Sequence, residues 1–254
     1  MRSLFLSFKY ILTSVLIVFM LSGCANLLNK YFPEEDLEDQ EGPPGLMVEG
    51  DKQFNRGNWE EAIESYETVK DRYPYSKEAV VAELKMADSL YESEFYEDAF
   101  EAYNEFERLH PKNKNIPYVI YRKGMCYYQQ ITTIDREQDT TLRAKEEFER
   151  VIKRFPRNVY ANKARKNIRK CLIFLAENEL YVAHYYYRMK KYRAARQRYS
   201  YIIENYPDMG QYHEALDYIK LCDEKLAEWD LELKEEEEEE AGKETKKKKK
   251  WILF

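Results

Sequence analysis

Apolar residues recur along this chain at the spacing of an α-helix, and one pattern of them appears four times. In each copy an Ala is followed four positions later by an aromatic residue, three positions further by another apolar residue, and five further by Pro. The copies begin at Ala62, Ala99, Ala144 and Ala195 and end at Pro74, Pro111, Pro156 and Pro207. The spacing places the three apolar residues on one helix face, and the Pro indicates the helix end.

A small residue precedes each of these helices and indicates a second helix upstream. The small residues are Gly50, Ala87, Gly124 and Ala183. Paired helices with small residues in register resemble the tetratricopeptide repeat (TPR), in which the small residue of helix A lets helix B pack closely. The resemblance implies an all-α, TPR-type superhelical solenoid of about five helix pairs.

The register predicts repeats near residues 46–74, 80–111, 117–156, 158–207 and 209–229, and two of them depart from the pattern. Repeat three carries extra polar residues around Thr132 to Thr141, which predict a surface loop. In repeat four the first helix is long, from about Asn158 to Met189.

The segment 230–254 is a charged tail with blocks of like charge. It contains Glu235 to Glu240 and Lys246 to Lys250, followed by the apolar Trp251 to Phe254. Such runs favour a disordered tail. A helical extension is an alternative, and the apolar end could contact lipid or a partner.

Composition narrows the class of protein further. The 254 residues include only 8 Gly and 8 Pro but 23 Tyr, and the net charge is −6. Few turn residues argue against sandwiches, barrels and Rossmann-type sheets. A charged fraction of 35% argues against a multispanning membrane protein, and the acidic balance gives no support to nucleic-acid binding.

The N-terminal segment has the features of a cleaved secretion signal. Arg2 and Lys9 precede an apolar stretch, and Leu21-Ser22-Gly23-Cys24 resembles the lipobox of bacterial lipoproteins. This resemblance implies a signal peptide at 1–23 and acyl chains on Cys24, with no other cofactor. Residues 24–45 would then form the lipidated Cys and a flexible tether. Ala25 is compatible with the periplasmic leaflet of the outer membrane. The alternative is an uncleaved signal anchor.

The remaining cysteines and the histidines do not indicate a catalytic site. Cys126, Cys171 and Cys222 lie in apolar helical patterns, which favours buried thiols over a disulfide. The histidines are His110, His184 and His213, and no hydrolase, nucleotide-binding or zinc motif accompanies them. The sequence therefore predicts a protein that is not an enzyme.

One set of aromatic residues lies four positions after each small residue: Phe54, Tyr91, Tyr128 and Tyr187. In the TPR family this position lies on the concave face. With their neighbours they define a candidate client groove for an extended peptide, formed by Asp51, Phe54, Leu84, Asp88, Tyr91, Tyr121 and Tyr128. The alternative is that the rings only pack within their own repeats.

Three stretches resemble the BamD family of outer-membrane β-barrel assembly lipoproteins: residues 175–195, Asp135-Arg136-Glu137-Gln138, and 57–62. The resemblance implies an outer-membrane scaffold that binds unfolded outer-membrane proteins and contacts other lipoproteins of the assembly complex. It also implies docking of the POTRA region of a BamA-like barrel, with Arg198, Tyr187 and Arg188 as candidate docking residues.

Two further hypotheses remain open at the level of sequence. One is a general TPR lipoprotein adaptor for cell-division, peptidoglycan or pilus complexes. The other is a lipid-anchored accessory factor of an enzyme.

Overall fold

The structure, a computed structural model, describes residues 42–136 and 138–252, with side chains as far as residue 243. The predicted signal peptide, Cys24 and most of the predicted tether lie outside the described residues. Every regular element in residues 42–136 and 138–252 is an α-helix, which confirms the all-α prediction. The helices are α1 Gly42–Arg56, α2 Trp59–Arg72, α3 Lys77–Glu92, α4 Tyr96–Leu109, α5 Ile116–Gln129, α6 Asp139–Arg154, α7 Val159–Arg188, α8 Tyr192–Asn205 and α9 Tyr212–Ile252.

The chain divides into two compact units, one ending at Met86 and one beginning at Ala87. The first unit packs α1 against α2 over a core of Leu46, Ala62, Tyr66, Val69 and Ala82. Its first helix starts at Gly42, before the predicted repeat boundary at residue 46. Pro43 and Pro44 fit this extra turn because the first residues of a helix need no intrahelical N–H donor.

The second unit pairs α5 with α6 and α7 with α8, and α9 packs against α8. One of its cores consists of Ala183, Ala195, Tyr199, Ile202, Ala215 and Cys222. Each helix B, in both units, ends two residues before its Pro, as the sequence predicts. The cysteines 126, 171 and 222 are buried and unbridged, which confirms the prediction of buried thiols.

The tight turns between helices A and B share one backbone feature. Gly57, Glu94 and Lys190 occupy the same position in three repeats and all have positive φ, at 80°, 65° and 57°. Glycine adopts this left-handed conformation without steric cost, whereas Glu94 and Lys190 adopt it under the constraint of the surrounding helix pair.

Repeat three carries its extra residues as a loop, as predicted. α5 ends at Gln129 and α6 begins at Asp139, somewhat before the predicted end of the insertion. The side chain of Asn178 on α7 donates a hydrogen bond to the Ile134 carbonyl and so joins the loop to the long helix. The acidic Asp139 in the first turn of α6 favours the earlier start, since carboxylates stabilise helix N-termini.

The long helix of repeat four is confirmed. α7 has 30 residues, which is roughly 45 Å at 1.5 Å per residue. Its N-cap is Asn158, whose side-chain oxygen accepts a hydrogen bond from the Tyr160 N–H at 2.9 Å.

The charged tail differs from the predicted disorder. α9 continues as a helix through the glutamate run and the lysine run to Ile252. Acidic residues precede basic ones along this helix, an order that suits the helix dipole, and Lys243 pairs with Glu239 at 2.7 Å. No helix of the described residues is both long enough and apolar enough to cross a membrane.

Candidate functional site

Helix A packs closely against helix B at the two small residues that are glycine, Gly50 and Gly124. A methyl group added to Gly50 would lie 2.6 Å from the Tyr66 ring, and one added to Gly124 would lie 2.7 Å from the Phe148 ring. Both rings are fully buried. The aromatic residue of helix B therefore rests directly on the small residue of helix A, as the TPR resemblance implies.

The buried tyrosine hydroxyls of helix B each meet a polar group on helix A, one position after the small residue. Tyr66 donates to Asp51 at 2.6 Å and Tyr103 donates to Asp88 at 2.5 Å. Tyr199 lies 2.7 Å from Nδ1 of His184, whose Nε2 lies 3.1 Å from Glu214. The two ring nitrogens of His184 therefore contact one group each, the Tyr199 hydroxyl and the Glu214 carboxylate.

Repeat three follows the same rule, with an apolar pair in place of the hydrogen-bonded pair. There helix B carries Phe148, which has no hydroxyl, and the position after Gly124 is Met125. A buried hydroxyl without a hydrogen-bond partner destabilises the fold. The helix A residue that follows the small residue is therefore polar where helix B carries Tyr, and apolar where helix B carries Phe.

We expect Phe148→Tyr to lower the free energy of unfolding by about 1–3 kcal/mol, because the new hydroxyl finds Met125 instead of an oxygen acceptor. Adding Met125→Asp should recover part of the loss. Urea unfolding followed by circular dichroism measures both variants. A Phe148→Tyr protein as stable as the parent, with no gain from Met125→Asp, would contradict the rule.

In the first unit, the candidate groove residues Asp51, Phe54 and Leu84 have defined neighbours. Oδ1 of Asp51 accepts hydrogen bonds from Tyr66 and Lys85, each at 2.6 Å. Phe54 is half-buried and packs edge-on against Trp59, with ring centroids 4.9 Å apart. Leu84 is buried. Asp51 and Phe54 keep an exposed part, whereas Leu84 contributes mainly to the core.

In the second unit, Asp88 is the centre of a polar cluster. Besides the Tyr103 hydroxyl it accepts the Tyr118 hydroxyl at 2.6 Å, and the Arg122 guanidinium lies 3.9 Å away. Burial raises the pKa of Asp88, while the two hydroxyl donors and Arg122 oppose that rise. A half-buried carboxylate with this many donors is fixed in place by its neighbours.

Tyr91 is only 6% exposed and carries a cation on its face. The Arg122 guanidinium lies 3.7 Å from its ring centroid and also donates to Glu92 at 2.8 Å. Burial raises the pKa of Tyr91 to about 12, against the opposing charge of Arg122. Cation–π stacking of this kind rigidifies the end of α3.

Tyr121 and Tyr128 lie on α5 and are half-buried. Tyr121 packs against Tyr160 of α7 with centroids 5.5 Å apart and accepts a hydrogen bond from Asn167 at 3.2 Å. Tyr128 lies 6.3 Å from the Phe148 ring. These two rings lie seven residues apart on one face of α5, and their neighbours on the long helix range from Tyr160 to Lys170.

In three of the four repeats the ladder residue on helix A has the same kind of partner on helix B. Phe54, Tyr91 and Tyr187 each pack edge-on against the aromatic residue that begins helix B, namely Trp59, Tyr96 and Tyr192. The centroid separations are 4.9, 5.3 and 5.5 Å. The rings thus serve intra-repeat packing, and their exposed edges remain available at Phe54 and Tyr187.

The candidate docking residues lie on α7 and α8. Arg198 donates to both carboxylate oxygens of Glu179, at 2.8 and 3.1 Å, and stays exposed. Tyr187 is half-buried between Tyr192 and Tyr218, and Arg188 is exposed at the end of α7. Arg198 and Tyr187 are thus positioned by contacts within the chain.

A buried charge network in repeats two and three was not foreseen from the sequence. Lys123 on α5 is only 2% exposed and contacts Asn104 at 2.8 Å, Glu107 at 3.2 Å and Glu147 at 3.9 Å. Glu107 also pairs with Arg150 and Arg154. One indication of this network was present in the sequence: Lys123 directly precedes the small Gly124 on an otherwise apolar helix face.

Paired helices, with a helix B ring seated on the small residue of helix A at Gly50 and Gly124, define a TPR-type helical repeat protein. Residues 41–239 match the family profile YfiO, described as "Outer membrane lipoprotein". The chain therefore belongs to this family.

Curated relatives carry the name "Outer membrane protein assembly factor BamD". The chain is 27% identical over 230 residues to the protein of Neisseria meningitidis serogroup A, covering 87% of this chain and 86% of the relative. With the protein of Rickettsia prowazekii it shares 29% identity over 208 residues, covering 81% and 80%. Among solved structures, the TPR2AB–pHSP90 complex of yeast Sti1 matches with a TM-score of 0.43 and 18% identity, covering 72% of this chain and 70% of that chain.

Proposed function

We propose that this chain is a lipid-anchored scaffold subunit of the machinery that assembles β-barrel proteins into the outer membrane. The observation that carries the proposal is the YfiO family match across the helical body, residues 41–239. Relatives that cover most of their own length in the alignment are named for outer-membrane protein assembly. In this role the protein positions other chains and performs no covalent chemistry.

Acyl chains on Cys24 would hold the scaffold at the periplasmic face of the outer membrane. Each buried CH₂ group adds roughly 0.8 kcal/mol of membrane affinity, so several chains give stable anchoring. The same position suits a subunit that must remain beside a membrane-embedded barrel.

Unfolded outer-membrane proteins are the proposed clients. In the first unit, Phe54 and Asp51 offer an apolar edge beside a carboxylate. In the second unit, Tyr121 and Tyr128 offer ring edges on one helix surface. Aromatic residues give large contact area at small entropic cost, which suits an extended segment that presents aromatic and backbone groups.

The partner proposed for the C-terminal repeats is the POTRA region of a BamA-like barrel, beside other lipoproteins of the complex. Arg198 is exposed, and the Glu179 carboxylate holds its guanidinium in one place. A positioned guanidinium is suited to bidentate contact with a partner carboxylate or backbone carbonyls. The exposed Arg188 and the edge of Tyr187 add a second cation and an aromatic contact on α7.

Client binding can be tested without unfolding the repeats. Tyr128→Leu keeps an apolar side chain against Phe148 but removes the aromatic ring, so we expect about tenfold weaker binding of a peptide from the C-terminal strand of an outer-membrane barrel. Tyr75→Leu is the matched control, because Tyr75 is fully exposed outside the helices. Fluorescence anisotropy with a labelled peptide measures both variants.

A loss of binding in Tyr128→Leu with an unchanged melting temperature supports the client groove. Equal affinity of both variants and the parent would assign the aromatic ladder to packing alone. Tyr91 is the poorer choice for this test, because its burial and its stacked Arg122 make any substitution a stability experiment.

A further inference from the structure

The helices α5 and α7 present cations without carboxylates in an otherwise acidic chain. Residues 108–134 and 150–176 contain fourteen Lys or Arg and no Asp or Glu, although the whole chain has a net charge of −6. The first range includes all of α5 and the second includes more than half of α7, and the two helices contact each other. The surface that they share therefore carries a local charge opposite in sign to that of the chain.

Three lysines follow one another along the exposed side of α7, and we call them the lysine row: Lys163, Lys166 and Lys170. Their spacing of three and four residues places them on one face of the helix. All three are exposed. From Lys163 to Lys170 the row extends over roughly 10 Å, at 1.5 Å per residue.

The lysine row lies beside the aromatic residues of the candidate client surface in the second unit. Nζ of Lys163 is 5.1 Å from the centroid of the Tyr160 ring, and Tyr160 packs against Tyr121. Nζ of Lys170 is 5.9 Å from the centroid of the Tyr128 ring. The two ends of the row thus lie near the two ends of the tyrosine pair, so a cationic row and an aromatic row run side by side.

The cations on α5 are already neutralised within the chain. Arg122 pairs with Glu92 at 2.8 Å, and Lys123 pairs with Glu107 at 3.2 Å. The ends of the lysine row lie over rings instead, and a ring attracts a cation without cancelling its charge. The lysine row is therefore the part of this surface that is suited to attract an anionic group from another molecule.

An extended segment fits an aromatic row beside a cationic row, because its side chains alternate. Successive side chains of a β-strand point to opposite faces and rise about 3.3 Å per residue, so three or four residues span the lysine row. Strands of membrane β-barrels alternate apolar and polar residues with the same period of two. When the aromatic residues of such a strand contact Tyr121 and Tyr128, the residues between them are available to the lysine row.

We propose that the lysine row gives this client surface a preference for extended segments in which aromatic residues alternate with Asp or Glu. The inference rests on the proposed client-binding function and adds the class of segment that the second unit selects. The aromatic residues contact the tyrosine rings, and the carboxylates pair with the ammonium groups of α7. A segment with amides in place of the carboxylates keeps the first set of contacts and loses the second.

Three short labelled peptides with the same alternating aromatic residues test this preference on the full chain. The intervening positions carry Glu in the first peptide, Gln in the second and Lys in the third. At low salt we expect the Glu peptide to bind about tenfold more tightly than the Gln peptide, which is the combined effect of three exposed ion pairs, and the Lys peptide to bind most weakly. High salt should remove these differences, because it screens exposed charges. Fluorescence anisotropy measures each affinity.

The combined variant Lys163→Gln, Lys166→Gln and Lys170→Gln should lose the preference for the Glu peptide. Its affinity for the Gln peptide should stay unchanged, which shows that the rings remain in place. Replacement of the same three lysines by Arg should keep the preference, because it keeps the charge.

The matched control combines Lys220→Gln, Lys234→Gln and Lys243→Gln. These three lysines are exposed on α9, so the control removes the same net charge from a different helix. It should keep the preference for the Glu peptide. Thermal unfolding of every variant verifies that the repeats remain folded.

The proposal is overturned by equal affinity for the Glu and Gln peptides, or by a preference that survives loss of the lysine row. Lysine-dependent binding to phosphatidylglycerol vesicles, without discrimination among the peptides, would also overturn it and assign the row to lipid headgroups. The client-binding function is judged separately. Equal binding of all three peptides contradicts the charge preference alone, whereas no binding of any peptide contradicts the client surface itself.

Discussion

Gly124→Val is expected to destabilise the second unit by about 3 kcal/mol or more. The new Cβ would lie 2.7 Å from two atoms of the Phe148 ring, and that ring is fully buried and cannot move aside. Overpacking a well-packed core costs about 1–3 kcal/mol for small insertions, and a β-branched residue adds two further methyl groups. The higher helix propensity of Val than Gly recovers only a few tenths of a kcal/mol.

Gly242→Val is the matched control for that experiment. Gly242 also lies within a helix, and nothing comes within 4 Å of a Cβ at this position. Its substitution should change stability by less than about 0.5 kcal/mol. Thermal unfolding followed by circular dichroism compares the two variants. Equal melting temperatures would show that the small residue does not determine how closely the two helices pack.

Glu107→Gln is expected to lower stability by about 3 kcal/mol at pH 7. The substitution keeps the shape of the side chain but removes the negative charge that Lys123, Arg150 and Arg154 share. Lys123 is almost fully buried, and removing one partner of a buried ion pair typically costs about 3–5 kcal/mol. Glu147 at 3.9 Å offsets part of the loss.

The pH dependence of this effect identifies its cause. Although burial opposes it, the charges of Lys123 and Arg150 hold the pKa of Glu107 below its ordinary value. A carboxylate with a lowered folded-state pKa stabilises the protein above the unfolded pKa of about 4.3, and it loses that contribution as the pH falls through the folded value. The difference between parent and Glu107→Gln should therefore be largest near neutrality and should shrink towards acid pH.

Urea denaturation at several pH values makes this measurement. The double variant Lys123→Met with Glu107→Gln should recover much of the lost stability, because no buried cation is then left with too few partners. A Glu107→Gln effect that is independent of pH, or a double variant that loses the sum of both single effects, would argue against the network.

The repeat architecture could be predicted because its signals are local. The interval from Ala144 to Phe148 and Val151 places all three on one face of α6, and Gly124 supplies the space for the ring. Periodicity and residue size determine both features within a few turns of helix. The end of each helix B before Pro follows from the same local rules.

The candidate site could be predicted only in part, because its contacts depend on residues far apart in the chain. The sequence placed Asp51 and Asp88 next to the small residues, but their bonds to Tyr66 and Tyr103 span 15 positions. The pair formed by Arg150 and Glu107 spans 43 positions and depends on how three helices pack. No periodicity within one helix encodes such a distance.

The tail was harder to predict for a different reason. Composition alone favours a solvated, disordered chain for the glutamate and lysine runs. The helix of Cys222 and Ala215 is already nucleated by packing against α8, so its continuation costs no new nucleus. Along α9 the glutamate run precedes the lysine run, and this order of charges favours a helix that continues to Ile252.

Affinity purification from detergent-extracted envelopes tests most directly the proposed role of this chain as a scaffold of the outer-membrane β-barrel assembly machinery. The tagged full chain should bring down a barrel protein with POTRA domains. Arg198→Glu should reduce that recovery, while the control Arg193→Glu on the same helix should not. Recovery of pilus secretins or peptidoglycan synthases, without the barrel protein, would contradict the assembly role.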